Sequence, residues 1–405
     1  MRRCGLDVLV ATSPVNITYL TDYYCWMSPL LREHMVSPGG GPGLAQAYAV
    51  LPVEGEPALV VRPNFSANAS QIWVHDVRLG GKPRHDRSQE ANLASEEDRR
   101  LWKLLCETEH ADSANDALLR CLSDRGLTDA RIGLEFEGLT DANRAFLTGA
   151  LPQTQIKDCS NLFRIIRMVK SEEEIRRLTR SAEINERAGM ESLAQARPGR
   201  PISDLIELYR VRVAEAGAVF DHFAFSIHGF GIATEPPHTL ADDELAFIDF
   251  GCVADHHFSD TGTTLALGAA QRVAEEKYGV LRKMMDAGMK TIRPGAKASE
   301  VHAAMAEVLD AHDLASHPIG HGLGLDVREY PIIVPDNGLR IRDDCVDESS
   351  DLALEAGMVF NLEAPLFMPG FGALQIEQTI IVTGDGCRPL IEQDRGAPVM
   401  PERKS

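Results

Sequence analysis

The sequence predicts an α+β protein in which a smaller α/β domain precedes a larger domain built on antiparallel sheet. Three observations carry that expectation. A chain of 405 residues exceeds one ordinary core and calls for two domains. Its C-terminal half interleaves β-rich apolar runs (246–251, 358–363, 374–382) with two long helical periods, about 268–292 and 297–312, the mixed order of an antiparallel sheet covered by helices. Between the halves, Leu162–Met168 leads into Lys170-Ser171-Glu172-Glu173-Glu174, where Ser171 and Glu174 form a capping box that opens a new helix. The boundary therefore falls near 152–170, separating an N-terminal domain, 1–160, from a C-terminal domain, 161–405.

Taken in order, Leu6–Ala11 reads as a strand, closed by Ser13-Pro14-Val15-Asn16, a turn signal and helix cap. A short helix or turn follows from Asn16. Pro38-Gly39-Gly40-Gly41-Pro42 reads as a plain loop, because no strand–GxxxxGK–helix context surrounds it. Ala47–Leu51 and Pro57–Val61 read as a hairpin of strands. Glu97–Cys106, Ala114–Asp124 and Asp141–Leu151 have helical period, and Arg131–Glu137 that of a strand. Beyond the boundary a helix runs from the capping box to about Gln195, where Pro198-Gly199-Arg200-Pro201 ends it. Ile202–Ala216 starts another, Gly217 stops it, and Ala218–Phe225 turns apolar and aromatic like a strand.

Composition narrows the function classes. Hydrophobic residues make up 44% and charged residues 25%, as in a globular protein. The formal charge of −19 disfavours nucleic acid and anionic membrane as partners. The eight cysteines are scattered without a CxxC pair, the usage of a reducing compartment, so a cytoplasmic protein is expected. No apolar run approaches the roughly 20 residues that span a bilayer, and MRRCGLDVLVATSP reads as a first strand, not as a signal peptide.

Chemistry concentrates in the C-terminal half. Strand parity puts Asp249 on a face with Phe247 and Gly251, Glu363 with Val359 and Asn361, and Glu377 with Gln375 and Thr379. Taken singly, each acid reads equally as a satisfied core carboxylate or a surface position. With Asp260, and with His321 in the glycine-flanked IGHGLGLD, they form an oxygen-rich set with one imidazole. Such donors suit Mn²⁺, Fe²⁺, Co²⁺ or Zn²⁺, and four carboxylates are enough for two ions sharing bridging ligands. Asp255-His256-His257 resembles a metal site in isolation, but falls in the turn between the two aspartate strands and reads as a solvated loop.

The D-x10-D spacing of Asp249 and Asp260, the HxxGHxxGxxV segment 317–327, the FNLEAP strand and the IEQT strand together resemble the pita-bread metallopeptidases. That family includes methionine aminopeptidase, prolidase, aminopeptidase P and the metal-free creatinase. The likeness covers about 160–405, and VLVATSPVNITYLT resembles the creatinase/prolidase N-domain. The resemblance implies a homodimeric hydrolase that cuts a C–N amide bond, as an Xaa-Pro peptidase does, with metal-activated water as nucleophile. It implies that Asp260 and Glu377 bridge two divalent ions, that Asp249 binds one, and that His321 with Glu363 binds the other. Glu363 would accept the proton of the water. His238 in EPPHT matches a histidine that contacts substrate or moves a proton, and His317 one that steadies the reacting carbonyl.

Three positions depart from the peptidase pattern. Arg328 in DVREY stands where the peptidases carry histidine, Gln375 where they often carry arginine, and Thr261-Gly262-Thr263-Thr264 where they read Ile-Thr-Arg-Thr. An arginine at 328 is similar to creatinase, in which it helps hold a small carboxylate, and guanidinium binds carboxylate bidentately. Arg32 reads either as a solvated arginine or as the match of a second creatinase arginine, one that reaches across the dimer interface. The substrate is therefore either a short peptide or a small non-peptide carboxylate or zwitterion, turned over by hydrolysis or elimination. A non-catalytic binding module is the third reading. The polar stretch 331–351 reads as a lid or as a surface excursion.

Overall fold

The computed structural model describes residues 1–82, 93–231 and 235–401. They divide into two compact units, 1–163 with 341–347, and 164–340 with 348–405. The family-level expectation of an α/β unit followed by an α+β unit holds.

In the first unit seven strands form one sheet, ordered β5-β4-β3-β2-β1-β6-β7. They are β1 (Val8–Ala11), β2 (Tyr48–Pro52), β3 (Ala58–Val61), β4 (Asp76–Gly80), β5 (His110–Ala111), β6 (Arg131–Leu134) and β7 (Gln155–Asp158). β2 and β3 pair antiparallel, as the hairpin expectation required, whereas β1 pairs parallel with β6. The helices are α1 (Pro14–Thr21), α2 (Glu33–Val36), α3 (Glu96–Trp102), α4 (Ala114–Asp124) and α5 (Asp141–Ala150). The Ser13 hydroxyl accepts from Asn16 N and caps α1, as a serine before proline at the first helical position should. Helix α6 (Ser160–Met168) carries the chain from the first unit into the second. Within the first unit, Asp343 Oδ2 accepts from Asn161 N and Leu162 N at 2.7 and 3.1 Å. This places an anion on the otherwise unsatisfied first-turn donors, so part of the 331–351 stretch serves as a helix cap.

The second unit contains α7 (Glu172–Leu193), α8 (Ile202–Glu215), α9 (Ala270–Thr291) and α10 (Ala298–Ala311). The capping box at Ser171 and Glu174 is present with both of its hydrogen bonds. β8 (Val219–Ser226), β9 (Leu245–Ala254) and β10 (His257–Ala266) form an antiparallel meander. A second sheet follows the order β12-β11-β15-β16-β17. Its strands are β11 (Ile319–Gly322), β12 (Glu329–Ile333), β15 (Val359–Met368), β16 (Gly372–Val382) and β17 (Cys387–Pro389). Two three-residue strands, β13 (Arg340–Arg342) and β14 (Asp347–Ser349), lie between.

Helices α7 and α8 cover the first of these sheets. Tyr209, Phe223, Phe225, Ile248 and Phe250 are buried in that layer, and each such side chain contributes about 1.5–3 kcal/mol by leaving water. Helix α9 covers the second sheet, where Gly288 lets the helix backbone approach Leu362. The faces of β9, β10, β15 and β16 turned away from these apolar layers carry the acids. The turn Asp255-His256 has φ of 48° and 66° and joins β9 to β10 through two residues, the tight hairpin geometry whose twist suits the flanking strands. His257, expected in a solvated loop, is instead buried at the start of β10, with Nδ1 2.9 Å from Asp255 O.

One buried charge cluster braces this unit. Glu329 Oε2 meets Lys170 Nζ at 2.6 Å and Glu329 Oε1 meets Arg167 Nη2 at 3.0 Å, all with little solvent exposure. Burial opposes ionisation of Glu329, but the two cations and the Lys170 and Asp326 donors outweigh it, and its pKa lies below the ordinary 4.5. A depressed carboxylate pKa adds stability above the unfolded pKa that is lost as pH falls through the folded one. Glu329→Gln should therefore cost about 3 kcal/mol at pH 7 by leaving the buried Lys170 ammonium without its carboxylate, while Arg167 keeps Asp326 at 2.6 Å. In denaturant titrations the gap to wild type should narrow as pH drops below about 4.5.

Candidate metal centre

The acids share one pocket because two meanders present the same pattern. From the first sheet, β9 offers Asp249 and β10 offers Asp260 in the registers Asp249↔Gly262 and Asp260↔Gly251. Each aspartate thus faces a glycine across the ladder, on one face of the hairpin. A Cβ on Gly262 would stand 2.1 Å from Gln375 Nε2 and 2.8 Å from Glu377 Oε2, so the missing side chain leaves room for the opposing sheet's polar groups. From the second sheet, Glu363 on β15 pairs directly with Glu377 on β16, and β11 sets His321 beside Asn361. The sheets are joined along β10 and β16. Thr261 Oγ1 donates to Glu377 O at 3.2 Å, Thr264 Oγ1 donates to Gln375 O at 3.0 Å, and Asn361 Nδ2 donates to Asp260 O at 3.1 Å.

The five predicted ligands come together in this pocket. His321 Nε2 lies 3.4 Å from Asp260 Oδ2 and 3.3 Å from Glu363 Oε1. Glu377 accepts from Asn361 Nδ2 and Gln375 Nε2, both at 2.7 Å. Gln375, one of the departures from the peptidase pattern, is therefore a neutral donor that orients Glu377. A sixth donor is His222 on β8, whose Nε2 stands 3.0 Å from Asp249 Oδ1 and 3.3 Å from Asp260 Oδ1. Sequence reasoning missed it, although a signal existed: strand alternation across 218–225 puts His222 on the same face as Ala224, which pairs with Asp249.

The electrostatics are those of an anionic pocket. Burial and the Asp260 charge push the Asp249 carboxyl up to about 7, against the pull of His222. Burial and three carboxylate neighbours push Glu377 well above its ordinary range. Asp260 is held well below, because the charges of His222 and His321 beside it outweigh its burial. Against burial, Asp260 and Glu363 raise His321 to about 9, and Asp221, Asp249 and Asp260 raise His222 further still. Asp260 Oδ1, His321 Nε2 and Glu363 Oε1 are all buried without a hydrogen-bond partner, which is costly unless something else meets them. The donor set fits divalent ions. Ligands held 2.0–2.2 Å from one ion stand about 3.0 Å apart in octahedral and about 3.4 Å in tetrahedral arrangements. The separations of 3.0–3.4 Å among these atoms match that spacing.

The other predicted residues lie outside this cluster. His238 Nε2 is 2.8 Å from Glu244 Oε2, and its ring meets the edge of His228. His317 is exposed on the loop before β11, and after burial its charge is the second cause that holds the His302 pKa down. Arg328 is exposed, while its neighbour Glu329 belongs to the cluster with Lys170 and Arg167. Arg32 belongs to the first unit, where its exposed guanidinium donates to Pro29 O and Leu31 O.

Comparison with known proteins gives the same picture. The model of metallopeptidase family M24 matches residues 176–384, and that of the creatinase/prolidase N-terminal domain matches residues 1–169. An Xaa-Pro dipeptidase of Lactobacillus helveticus is 27% identical, over 67% of this chain and 73% of its own. A probable dipeptidase PepE of Mycobacterium tuberculosis is 31% identical, over 64% of this chain and 66% of its own. Among solved structures, the X-Pro aminopeptidase from Thermotoga maritima superposes with a TM-score of 0.74 at 17% identity, covering 99% of this chain and 98% of that one. The prolidase from Pyrococcus furiosus gives 0.69 at 17%, covering 97% and 98%. At such identities the structural likeness carries the fold alone.

The glycine at 262 offers a direct test of the pocket. Gly262→Ala should weaken divalent-ion binding about 10–100-fold, the usual effect of disturbing the groups that orient ligands. Calorimetric titration measures this, with an unchanged far-ultraviolet circular dichroism spectrum as the control.

Proposed function

The chain belongs to metallopeptidase family M24, and on that premise we propose that it is an Xaa-Pro dipeptidase-like hydrolase of short peptides, with Asp249, Asp260, His321, Glu363 and Glu377 holding its two divalent ions. The observation that supports this reading is the buried set of ligand atoms that make no hydrogen bond, Asp260 Oδ1, His321 Nε2 and Glu363 Oε1, in one acidic pocket. Divalent ions such as Mn²⁺, Co²⁺, Fe²⁺ or Zn²⁺ supply Lewis-acid stabilisation of the developing oxyanion and a nucleophile at neutral pH. The protein's own residues do the rest. Glu363, whose Oε1 has no hydrogen bond, takes the proton of the attacking water and passes it to the leaving amine. His238, oriented by Glu244, donates to the oxyanion, and His317 assists at the carbonyl. The exposed Arg328 guanidinium receives the C-terminal carboxylate of the peptide bidentately. We place the enzyme in the cytoplasm as a homodimer, in accord with its eight free cysteines and expected to sediment at twice the chain mass.

Chelation should abolish Xaa-Pro cleavage, and Mn²⁺ or Co²⁺ should restore it; activity persisting in metal-free protein would overturn the reading. Glu363→Gln should lower kcat by about 10²–10⁴ with little change in KM. Arg328→Ala should raise KM for dipeptides. Turnover of small zwitterions in the same panel, with none of Xaa-Pro dipeptides, would assign the enzyme to the non-peptide carboxylates instead.

A further inference from the structure

We propose that His222 is a sixth metal ligand, giving the ion held by Asp249 and Asp260 a nitrogen donor of its own. The assignment rests on the reading of the pocket as a metal centre and adds to the five ligands named above. Three features of the structure carry it.

The first is placement. The β8-β9-β10 meander presents His222, Asp249 and Asp260 on consecutive strands, one imidazole and two carboxylates. The adjacent strands β11, β15 and β16 of the other sheet present His321, Glu363 and Glu377, again one imidazole and two carboxylates. Asp260 lies between the two sets, with Oδ1 3.3 Å from His222 Nε2 and Oδ2 3.4 Å from His321 Nε2. His222 therefore occupies, in the first sheet, the place that His321 occupies in the second.

The second is orientation. His222 Nδ1 is 2.7 Å from Asp221 Oδ2, leaving Nε2 directed at Asp249 and Asp260. Carboxylate, imidazole and ion in series is the arrangement that fixes the ring of a metal-binding histidine and raises its basicity. The third is construction. The β8–β9 register shifts between Phe220 and His222, so that Phe220 faces Cys252 and His222 faces Gly251. The extra residue is Asp221, and bulges of this kind re-aim side chains beside sites. Opposite, a Cβ on Gly251 would stand 2.4 Å from His222 Cε1. The strand bulges to admit the Asp221–His222 pair, and the facing strand forgoes a side chain to make room for the ring.

A nitrogen ligand on this ion shifts its preference away from Mg²⁺ and Mn²⁺ and toward Co²⁺ and Zn²⁺. The test is titration of chelator-stripped protein with Co²⁺ alone, followed by calorimetry and by the visible absorption of the bound ion. Wild type should take up two ions. His222→Ala should bind one of them at least tenfold more weakly, with a loss of visible absorption in that step, while thermal melting shows the variant folded. Asp221→Asn keeps the ring and should weaken the same ion by a smaller factor. Wild-type stoichiometry, constants and spectrum in His222→Ala would overturn the assignment and leave the metal centre standing. So would an extra ion gained by that variant, since His222 would then be a cation standing in for a metal. No Co²⁺ uptake by wild-type protein would overturn the metal centre and this inference together.

Discussion

The carboxylate of Asp260 stands between two imidazoles, one from each sheet, and the pocket is organised around that contact. Its two oxygens lie 3.3 Å from His222 Nε2 and 3.4 Å from His321 Nε2. Buried carboxylates repel one another unless positive charge separates them. Asp260 takes the share of the field that favours ionisation, while Asp249 and Glu377 are pushed toward protonation. The four acids can share one cavity because the cationic groups sit along its seam. Divalent ions complete the same logic with a stronger positive charge at the same place.

Holding that seam is a task for ordinary hydrogen bonds. Side chains of threonines on β10 and of Asn361 on β15 donate to backbone carbonyls across the sheets. Behind them, Arg395 is fully buried, donates to Glu186 at 2.8 and 2.6 Å, and lies 3.3 Å from Thr261 Oγ1. The residue next to Asp260 is thus fixed from the far end of the chain. A displacement of about 1 Å in such a site can cost 10²-fold in rate, so the tail contributes to positioning although it touches none of the reacting groups.

Much of this was legible in the sequence, and the reasons differ by element. Strand 374–382 alternates and 246–251 is an apolar run with a single acid, so the faces of Glu377 and Asp249 could be read by parity. Helices α7 and α8 carried their own start and stop signals. His222 escaped because its strand was read for its aromatics, and the bulge that aims it belongs to the pairing and not to the local pattern. His257 was misjudged because two of the three residues Asp255-His256-His257 form the turn and the third begins a strand. The short strands β11 and β12 have too few residues to show a period. Arg395 gave no local signal at all, since its partner lies 209 positions away.

The two-residue turn at Asp255 and His256 has a further consequence, for how this chain can vary. Surface hairpin loops usually tolerate insertions and deletions. Here the turn acts as a ruler, because pairing Ala254 with His257 is what sets Asp260 against Gly251 and Asp249 against Gly262. One residue gained or lost would slip the register and send every side chain of β10 to the opposite face. Asp260 would then point into the packed layer, and the carboxylate common to both halves of the pocket would be gone. Among the loops of the second unit, this small exposed corner should be among the least free to change its length.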